Sequence, residues 1–390
     1  MTLRLLTSGE SHGPALVAVL EGFPAGMQIN TDQINRELSR RQKGFGSGDR
    51  MKIENDEAVI LGGVMGGETT GAPISVLIEN KDHINWQGKE IEAMTAPRPG
   101  HADLTGTAKY GYGDLRKSLE RASARETAAK VAVGAICKLF LSHFGISING
   151  YVVEIGGIRA NLDELPFAER AALAEMNTLR CPDLQVIDKM KEKIQLAIEK
   201  QDTLGGVIEL CGLNLPVGLG SHVHWDRKIE SRLGAAILGV QAMKGVEFGN
   251  AFENSKRSST QVQDPILGGK NDIFRPTNNA GGIEGGITNG EPLIIRAAMK
   301  PIPSTLTSQK TVDLLTGEAI NTQYHRSDHC PVPRAVPVLE AAAILVLADA
   351  LIEKLGGDSI AEMQPRFDNL RKMRFSDFEL DGTDRVWWPK

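Results

Sequence analysis

Two long, almost unbroken apolar stretches dominate the hydrophobic pattern of the chain, Ala124 to Phe144 and Val336 to Leu355. Each stops at a helix-end signal, Gly145 for the first and Gly356-Gly357 for the second. Neither leaves a polar face wide enough for a surface helix, so both are predicted to lie in the core. Pro166 to Asn177 and Asp183 to Lys200 carry the three-to-four spacing of amphipathic helices, and Asp226 to Ala242 reads as another helix. Shorter β-rich runs occur at Ile74 to Ile78 and Leu293 to Ile295, and Val207 to Leu215 alternates behind Gly205-Gly206. Strands come in hairpin-like clusters and helices in long separate runs, which predicts an α+β fold with helices sandwiched against antiparallel sheets rather than a regular βαβ alternation. Asn254 to Asn279 is polar and aperiodic and reads as a long loop, a type of segment that often serves as a lid.

A duplication is visible in the glycines. Gly62-Gly63-Val64-Met65-Gly66-Gly67-Glu68-Thr69-Thr70-Gly71-Ala72-Pro73 returns as Gly281-Gly282-Ile283-Glu284-Gly285-Gly286-Ile287-Thr288-Asn289-Gly290-Glu291-Pro292, with seven of twelve positions identical. Each copy leads into a β-rich run, a polar loop and then one of the two apolar helices. Glycine pairs alone fit tight hairpin turns; their repetition predicts one domain over residues 1–390 built of two pseudo-symmetric halves, about 1–150 and 205–360.

Composition narrows the function. With 390 residues and 41% hydrophobic positions the chain can bury a sizeable core. A formal charge of −5 argues against a general nucleic-acid or membrane-surface role. The basic residues are local instead: Arg36, Arg40, Arg41, Lys43, Arg50 and Lys52 in one stretch, Arg116, Lys117, Arg121 and Arg125 in another, as a small polyanionic ligand would require. Cys137, Cys181, Cys211 and Cys330 are widely spaced and read as buried thiols, not as a zinc site or disulfide framework. No signal peptide is read at the N-terminus and no apolar run is read as reaching the roughly 20 residues of a membrane span, so a cytoplasmic protein is expected. Gly44 to Asp49 lacks dinucleotide-fingerprint spacing, Lys117-Ser118 lacks the glycines of a P-loop, and His222-Val223-His224 has no nearby carboxylate cluster, so no metal is expected.

The candidate chemistry lies in two polar glycine loops, Gly9-Glu10-Ser11-His12-Gly13 and Arg98-Pro99-Gly100-His101-Ala102-Asp103. Imidazoles held there beside arginines suit proton transfer to an anionic ligand. Arg121-Ala122-Ser123-Ala124-Arg125-Glu126-Thr127 follows, with Ser123 and Glu126 at capping-box spacing and two arginines at a helix start.

Together with Ser221 to Asp226, Gly281 to Gly290, Lys300-Pro301-Ile302-Pro303 and His325-Arg326-Ser327-Asp328, all in the same order, these blocks make the chain resemble the chorismate synthase family over nearly its whole length. The resemblance implies a β-α-β sandwich with internal duplication, assembled as a homotetramer. It implies anti 1,4-elimination of phosphate and the C6 hydrogen from 5-enolpyruvylshikimate 3-phosphate, giving chorismate in the shikimate pathway, with reduced FMN required and no net redox change. By position, His12 would protonate the leaving phosphate, His101 the reduced flavin, and Asp328 would work with flavin N5 in removing the C6 proton. The implied substrate residues are Ser11, Arg41, Ser47, Arg98 and Arg125, with Ser123 a further hydroxyl donor. The implied flavin contacts are Arg121, Ala122, Ser123, Gln241, Ala242, Gly285, Lys300, Pro301, Ile302, Pro303, Ser304 and Arg326. One position departs: many family members carry a second loop arginine where this chain has Ser47, with Arg50 the nearest cation after it. Some relatives reduce their own flavin with NADPH; without an appended domain an external flavin reductase is expected. The alternatives are an NADPH-dependent flavin oxidoreductase and a non-catalytic flavin-binding protein.

Overall fold

The structure, a computed structural model, describes residues 2–46, 55–322 and 328–388. In chain order its elements are β1 (Arg4–Ser8), β2 (Ala15–Glu21), α1 (Thr31–Gln42), β3 (Ala58–Gly62), β4 (Val64–Met65), β5 (Glu68–Thr69), β6 (Ile74–Glu79), α2 (Asp103–Tyr110), α3 (Arg116–Ala122), α4 (Thr127–His143), β7 (Ser147–Ile155) and β8 (Ile158–Arg159). There follow α5 (Phe167–Glu175), α6 (Ile187–Glu199), β9 (Gly206–Leu213), α7 (Ile229–Leu238), β10 (Met243–Phe248), α8 (Ala251–Asn254), α9 (Ser259–Val262), β11 (Leu267–Gly268), β12 (Ile273–Phe274), β13 (Ile283–Glu284), β14 (Ile287–Thr288), β15 (Leu293–Met299), β16 (Lys310–Val312), β17 (Ala319–Asn321), α10 (Val332–Leu355) and α11 (Ile360–Asp368).

Two antiparallel sheets carry the fold, one ordered β1-β2-β6-β3 and the other β10-β15-β9-β7-β8. In the first, the buried residues of β2, Leu16, Ala18 and Leu20, sit opposite Ile78, Val76 and Ile74 of β6, so one face of the pleat is wholly apolar. That face receives α4, while α10 lies on β7 and β9 of the second sheet; α4 and α10 pack on each other, flanked by α1 and α7. The duplicated glycine segments become the hairpins β4–β5 and β13–β14, in which Gly66 and Gly285 both have φ +60° and Thr69 and Thr288 make the same bonds. Thr69 Oγ1 donates to Pro24 O and accepts Met27 N; Thr288 Oγ1 donates to Pro216 O and accepts Leu219 N. The orders β3-β6-β2-β1 and β10-β15-β9-β7 also match. β7, which starts at Ser147, pairs with β9.

The helix pair meets through a glycine. A Cβ at Gly134 of α4 would lie 2.4 Å from Ala341 Cβ and 2.8 Å from its Cα, so the bare backbone is what permits this approach. Beside that contact Glu340 is buried, accepting Arg40 Nη1 (2.7 Å) and Nη2 (3.0 Å) from α1 and the N–H of Gly150 in β7 (2.8 Å), with Lys138 Nζ of α4 at 3.6 Å. One carboxylate thus joins three helices and a sheet.

Several expectations need correction. The helix expected from Val336 starts at Val332, because Pro333 is tolerated in a first turn; the N–H missing at Pro337 leaves the Pro333 carbonyl unpaired within the helix, and Arg180 Nη1 donates to it at 2.5 Å. That helix is also, by length and composition, long enough to cross a membrane, contrary to the sequence reading; 83% of its apolar window is buried within the protein. Asp226 to Ala242 is not one helix: a 3-10 turn at Trp225–Arg227 precedes α7, which stops at Leu238 so that the chain can turn back and pair β10 with β15. The stretch Asn254 to Asn279 contains α9 and the hairpin β11–β12.

Two stability measurements follow from this packing. Gly134→Ala gains about 1 kcal/mol of helix propensity but overpacks the helix crossing at about 1–3 kcal/mol, so the melting temperature is expected to fall; a rise would show that the crossing relaxes freely. For Glu340, burial favours the neutral form, yet Lys138 and Arg40 hold the carboxyl down at about 2 against its ordinary 4.5. The unfolded chain takes up this proton first, so the contribution of about 3 kcal/mol is present above pH 4.5 and lost as pH falls toward 2. Glu340→Gln is expected to be less stable at pH 7 and to lose less stability over that window.

Candidate functional site

A cavity of about 910 Å³ opens where the loops of the two sheets meet, a volume near the upper end for ligand sites. On one side stand Ser11 and His12 after β1, Trp86, the loop residues Arg98, Gly100, His101 and Ala102, Arg116 and Leu119 of α3, and Ala122 to Arg125 ahead of α4. On the other are Leu238 to Lys244, Met299 to Ser304 except Pro301, and Asp328, Pro331 and Arg334 at the start of α10.

His12 sits in a turn made possible by Gly9, whose φ is +112° and where a Cβ would lie 2.5 Å from Ala15 O. Its Nδ1 lies 2.7 Å from Glu120 Oε1 and its backbone N–H donates to Glu120 Oε2 at 2.8 Å. Its ring rests on Trp86, centroids 4.0 Å apart, and Trp86 Nε1 donates to Asp82 Oδ2 at 3.3 Å. Burial alone would push the Glu120 carboxyl up; the His12 bonds and the Arg116 charge outweigh it and hold it below its ordinary value.

His101 has a similar carboxylate partner. Its Nδ1 lies 2.5 Å from Asp103 Oδ1, while Asp103 also accepts Arg98 Nε (2.8 Å) and Nη2 (3.1 Å). Burial opposes this ionisation, but the bonds from His101 and Arg98 hold Asp103 well below the usual carboxylate range. An ionised Asp103 makes Nδ1 the donor and leaves His101 Nε2 for the cavity. Arg98 Nη1 crosses to Ser304 Oγ (2.7 Å) and Lys300 Nζ crosses back to Gly100 O (2.6 Å), so these contacts hold the cavity's two sides together.

Arg125 donates through Nε to Asn80 Oδ1 (2.7 Å) and through Nη1 to Asp56 Oδ1 (2.5 Å). Asp56 also faces Arg41 at 3.3 Å; burial pulls the Arg41 guanidinium down to about 9, Asp56 opposing and Arg334 and Arg125 adding to the effect. Ser123 Oγ donates to Ser11 Oγ (3.0 Å) and accepts Arg125 N (3.3 Å), capping the 3-10 turn Ala124–Glu126. The expected capping box does not close, since Glu126 instead accepts Thr7 Oγ1 (2.9 Å) and Gln241 Nε2 (3.3 Å). Gln241 Oε1 is buried with no hydrogen-bond partner among the described residues. Ala242, at φ +67°, accepts Lys300 N (3.0 Å), and Asp328 is ion-paired with Arg334.

Of the residues singled out in the sequence, Ser11, His12, Arg98, His101, Ala122, Ser123, Arg125, Gln241, Ala242, Lys300, Ile302, Pro303, Ser304 and Asp328 line the cavity. Four do not. Arg41 lies behind the wall, bonded to Thr127 Oγ1 and Ala124 O; Arg121 braces the Gly9 and Thr7 carbonyls; Pro301 points away; Gly285 is the tip of the β13–β14 hairpin. Ser47 and Arg326, with Arg50 and Lys52, lie outside the described residues. No residue of the expected lid, Asn254 to Asn279, lines the cavity. Sequence reasoning missed Asp82, Trp86, Lys244 and Arg334 in the lining, assigned no site role to Arg116, and gave none to Glu120 or Asp103 behind it. Only Glu120 and Asp103 carried a signal, one adjoining Arg121 and the other closing the His101 block. The described lining has six cations, Arg98, Arg116, Arg125, Lys244, Lys300 and Arg334, against two carboxylates, in a chain of net charge −5. Such a concentration of positive charge suits a small ligand with several negative charges. No cluster of three His, Cys, Asp or Glu side chains that could hold a metal occurs among the described residues.

Residues 3–352 match the family model described as chorismate synthase. The chain is 49% identical over 383 residues to the chorismate synthase of Geobacter sulfurreducens, covering 94% of this chain and 98% of the relative. It is likewise 49% identical over 386 residues to the chorismate synthase of Aquifex aeolicus, covering 94% and 97%. A solved structure described as a crystal structure of chorismate synthase matches with a TM-score of 0.78 at 43% identity, covering 94% of this chain and 97% of that one.

Proposed function

The chain belongs to the chorismate synthase family, and from that membership we propose that it makes chorismate from 5-enolpyruvylshikimate 3-phosphate by anti 1,4-elimination of phosphate and the C6 hydrogen, with reduced FMN as cofactor. The observation that carries the residue roles is the pair of histidines, each tied at Nδ1 to a carboxylate, on one cation-lined cavity. The lining suits a flavin: Gln241 Oε1 is a buried acceptor without a donor among the described residues, as a ring N–H would supply, and Lys300 and Lys244 bring positive charge to the same wall. When bound, reduced FMN supplies transient electron density for C–O cleavage and takes it back.

The chain's own residues do the rest. Arg125 and Arg98, fixed by Asp56 and Asp103, hold anionic groups of the substrate without having to reorganise, and Ser11 and Ser123 add hydroxyl donors. Arg41 acts from behind, by setting Ala124 and Thr127 at the head of α4. His12 delivers a proton to the leaving phosphate. His101 holds one toward the flavin. Asp328, held by Arg334, accepts the C6 proton. Ser47 and Arg326 belong to the same reading as substrate and flavin contacts, as do Arg121, Gly285 and Pro301 for the flavin, although none of these last three lines the cavity of the single chain. The reading also includes a β-α-β sandwich of two pseudo-symmetric halves, a cytoplasmic homotetramer, and an external flavin reductase as the source of reduced cofactor.

The test is chorismate formation under anaerobic conditions, with chemically reduced FMN or with oxidised FMN plus NADPH. Turnover with reduced FMN alone is expected; turnover in both adds a reductase function, and turnover in neither overturns the reading. In the same assay His12→Ala and His101→Ala are each expected to lower kcat by about 10²–10⁴-fold, with flavin affinity little changed. Unaltered turnover would remove the acid roles.

A further inference from the structure

Resting on that reading, we propose that Glu120 is the positioning residue of His12, fixing its ring and tautomer so that Nε2 is the atom that carries the proton into the cavity. Three contacts from residue 120 converge on the His12 loop. Its carboxylate takes the His12 backbone N–H at 2.8 Å and Nδ1 at 2.7 Å, and its backbone O accepts Ser11 N at 3.2 Å. Both side chains are mostly buried, 20% exposed for His12 and 13% for Glu120, and Glu120 does not itself line the cavity. It therefore acts through His12 and not on the substrate.

The rest of the pocket is built to keep the ring in this one pose. Trp86 covers one face, held by Asp82, and His83 Nδ1 lies 2.9 Å from the His12 carbonyl oxygen. The charged and titratable groups around the imidazole are Glu120 and Arg116 from α3, Asp82 and His83 from the turn before Trp86, Glu10 in its own loop, and Arg125 on the same side of the cavity. Glu120 is the only one of these whose carboxylate is bonded to the ring.

A carboxylate on Nδ1 does two things in a proton delivery. It stabilises the imidazolium, the form that has a proton to give, and after Nε2 has passed that proton to a phosphate oxygen it keeps the remaining proton on Nδ1. The neutral ring is then in the tautomer that reloads at Nε2. An amide in the same place provides neither effect, because its NH₂ can donate to Nδ1 and favour the opposite tautomer; the loss of a histidine-orienting carboxylate in serine proteases has this cause.

The test compares the wild type with Glu120→Gln, Glu120→Asp, His12→Ala and the double variant in anaerobic assays with reduced FMN. Glu120→Gln is expected to keep its fold, since the backbone bond to Ser11 remains, and to lose about 10²-fold or more in kcat with KM changed only a few-fold. The alkaline limb of its kcat profile is expected at lower pH than in the wild type, whereas Glu120→Asp, which keeps the charge, is expected to restore part of kcat and the limb. Adding Glu120→Gln to His12→Ala is expected to cost nothing further, because both act on one proton transfer. Wild-type kcat and pH limb in Glu120→Gln, or losses that multiply in the double variant, would overturn the proposal. If Glu120→Gln does not fold, Glu120→Asp decides: an unshifted limb with reduced kcat supports the role, and a folded Glu120→Asp of wild-type kcat with an altered KM refutes it. Absence of chorismate from the wild type itself would instead overturn the catalytic reading on which this proposal rests.

Discussion

The close contact of α4 with α10 at Gly134 and Ala341 sets the scale of the whole molecule. Each helix packs on a sheet, α4 against β2 and β6, α10 against β7 and β9, so the close approach of the helices also brings the two sheets toward each other. The cavity forms where the loops at the ends of those sheets come within reach of each other. Arg98 reaches Ser304, Lys300 reaches Gly100, and Gln241 reaches Glu126, all over distances of 2.6–3.3 Å. A wider helix crossing would draw these partners apart together, since interiors packed to this density transmit a displacement rather than absorb it.

Within that frame the recurring device is the buried opposite charge. Glu120 holds His12, Asp103 holds both His101 and Arg98, Asp56 lies between Arg41 and Arg125, and Arg334 holds Asp328. Each partner restricts its functional group to one orientation, and three of the four are themselves absent from the cavity wall. Ionised groups so deeply set are tolerated because they are paired; an unpaired one would cost several kcal/mol or neutralise. The carboxylates are mostly used behind the wall and the cations mostly on it, which is how a chain with more acidic than basic residues presents a positive interior to its ligand.

Much of this was legible in the sequence wherever the signal was local. Apolar runs without a polar face gave α4 and most of α10, and the repeated glycines marked two hairpins whose backbone angles agree at Gly66 and Gly285 and nearly so at Gly63 and Gly282, +84° and +82°. The histidine loops were visible because a titratable group between glycines has no structural use in a turn. What escaped depends on distant partners. The sequence predicts α10 only from Val336, and the carbonyl of Pro333 that Pro337 leaves without its helical partner is taken by Arg180, more than 150 positions earlier in the chain. Arg41 read as a ligand because its charge is a property of the residue, while its burial against Thr127 and Asp56 is a property of the fold. Glu120 has no role in the sequence reading, because its two bonds to His12 close a loop of 108 residues.

The two long helices give the cavity a common electrostatic background and unlike sides. Both begin at the cavity: Ala124 and Arg125 lead into α4, and Pro331 and Arg334 stand at the head of α10. The positive dipole ends of two helices therefore lie at one volume, so the scaffold is electropositive there before any side chain is chosen. Onto that common background the chain places different chemistry. Ahead of α4 stand Ser123 and, one helix earlier, the Glu120 bonded to His12; ahead of α10 stands Asp328, a carboxylate paired with Arg334. On the proposed reading, His12 and Asp328 stand on opposite sides of one electropositive cavity, each beside its own counter-charge, an arrangement suited to an elimination that gives a proton to one end of its substrate and removes one from the other.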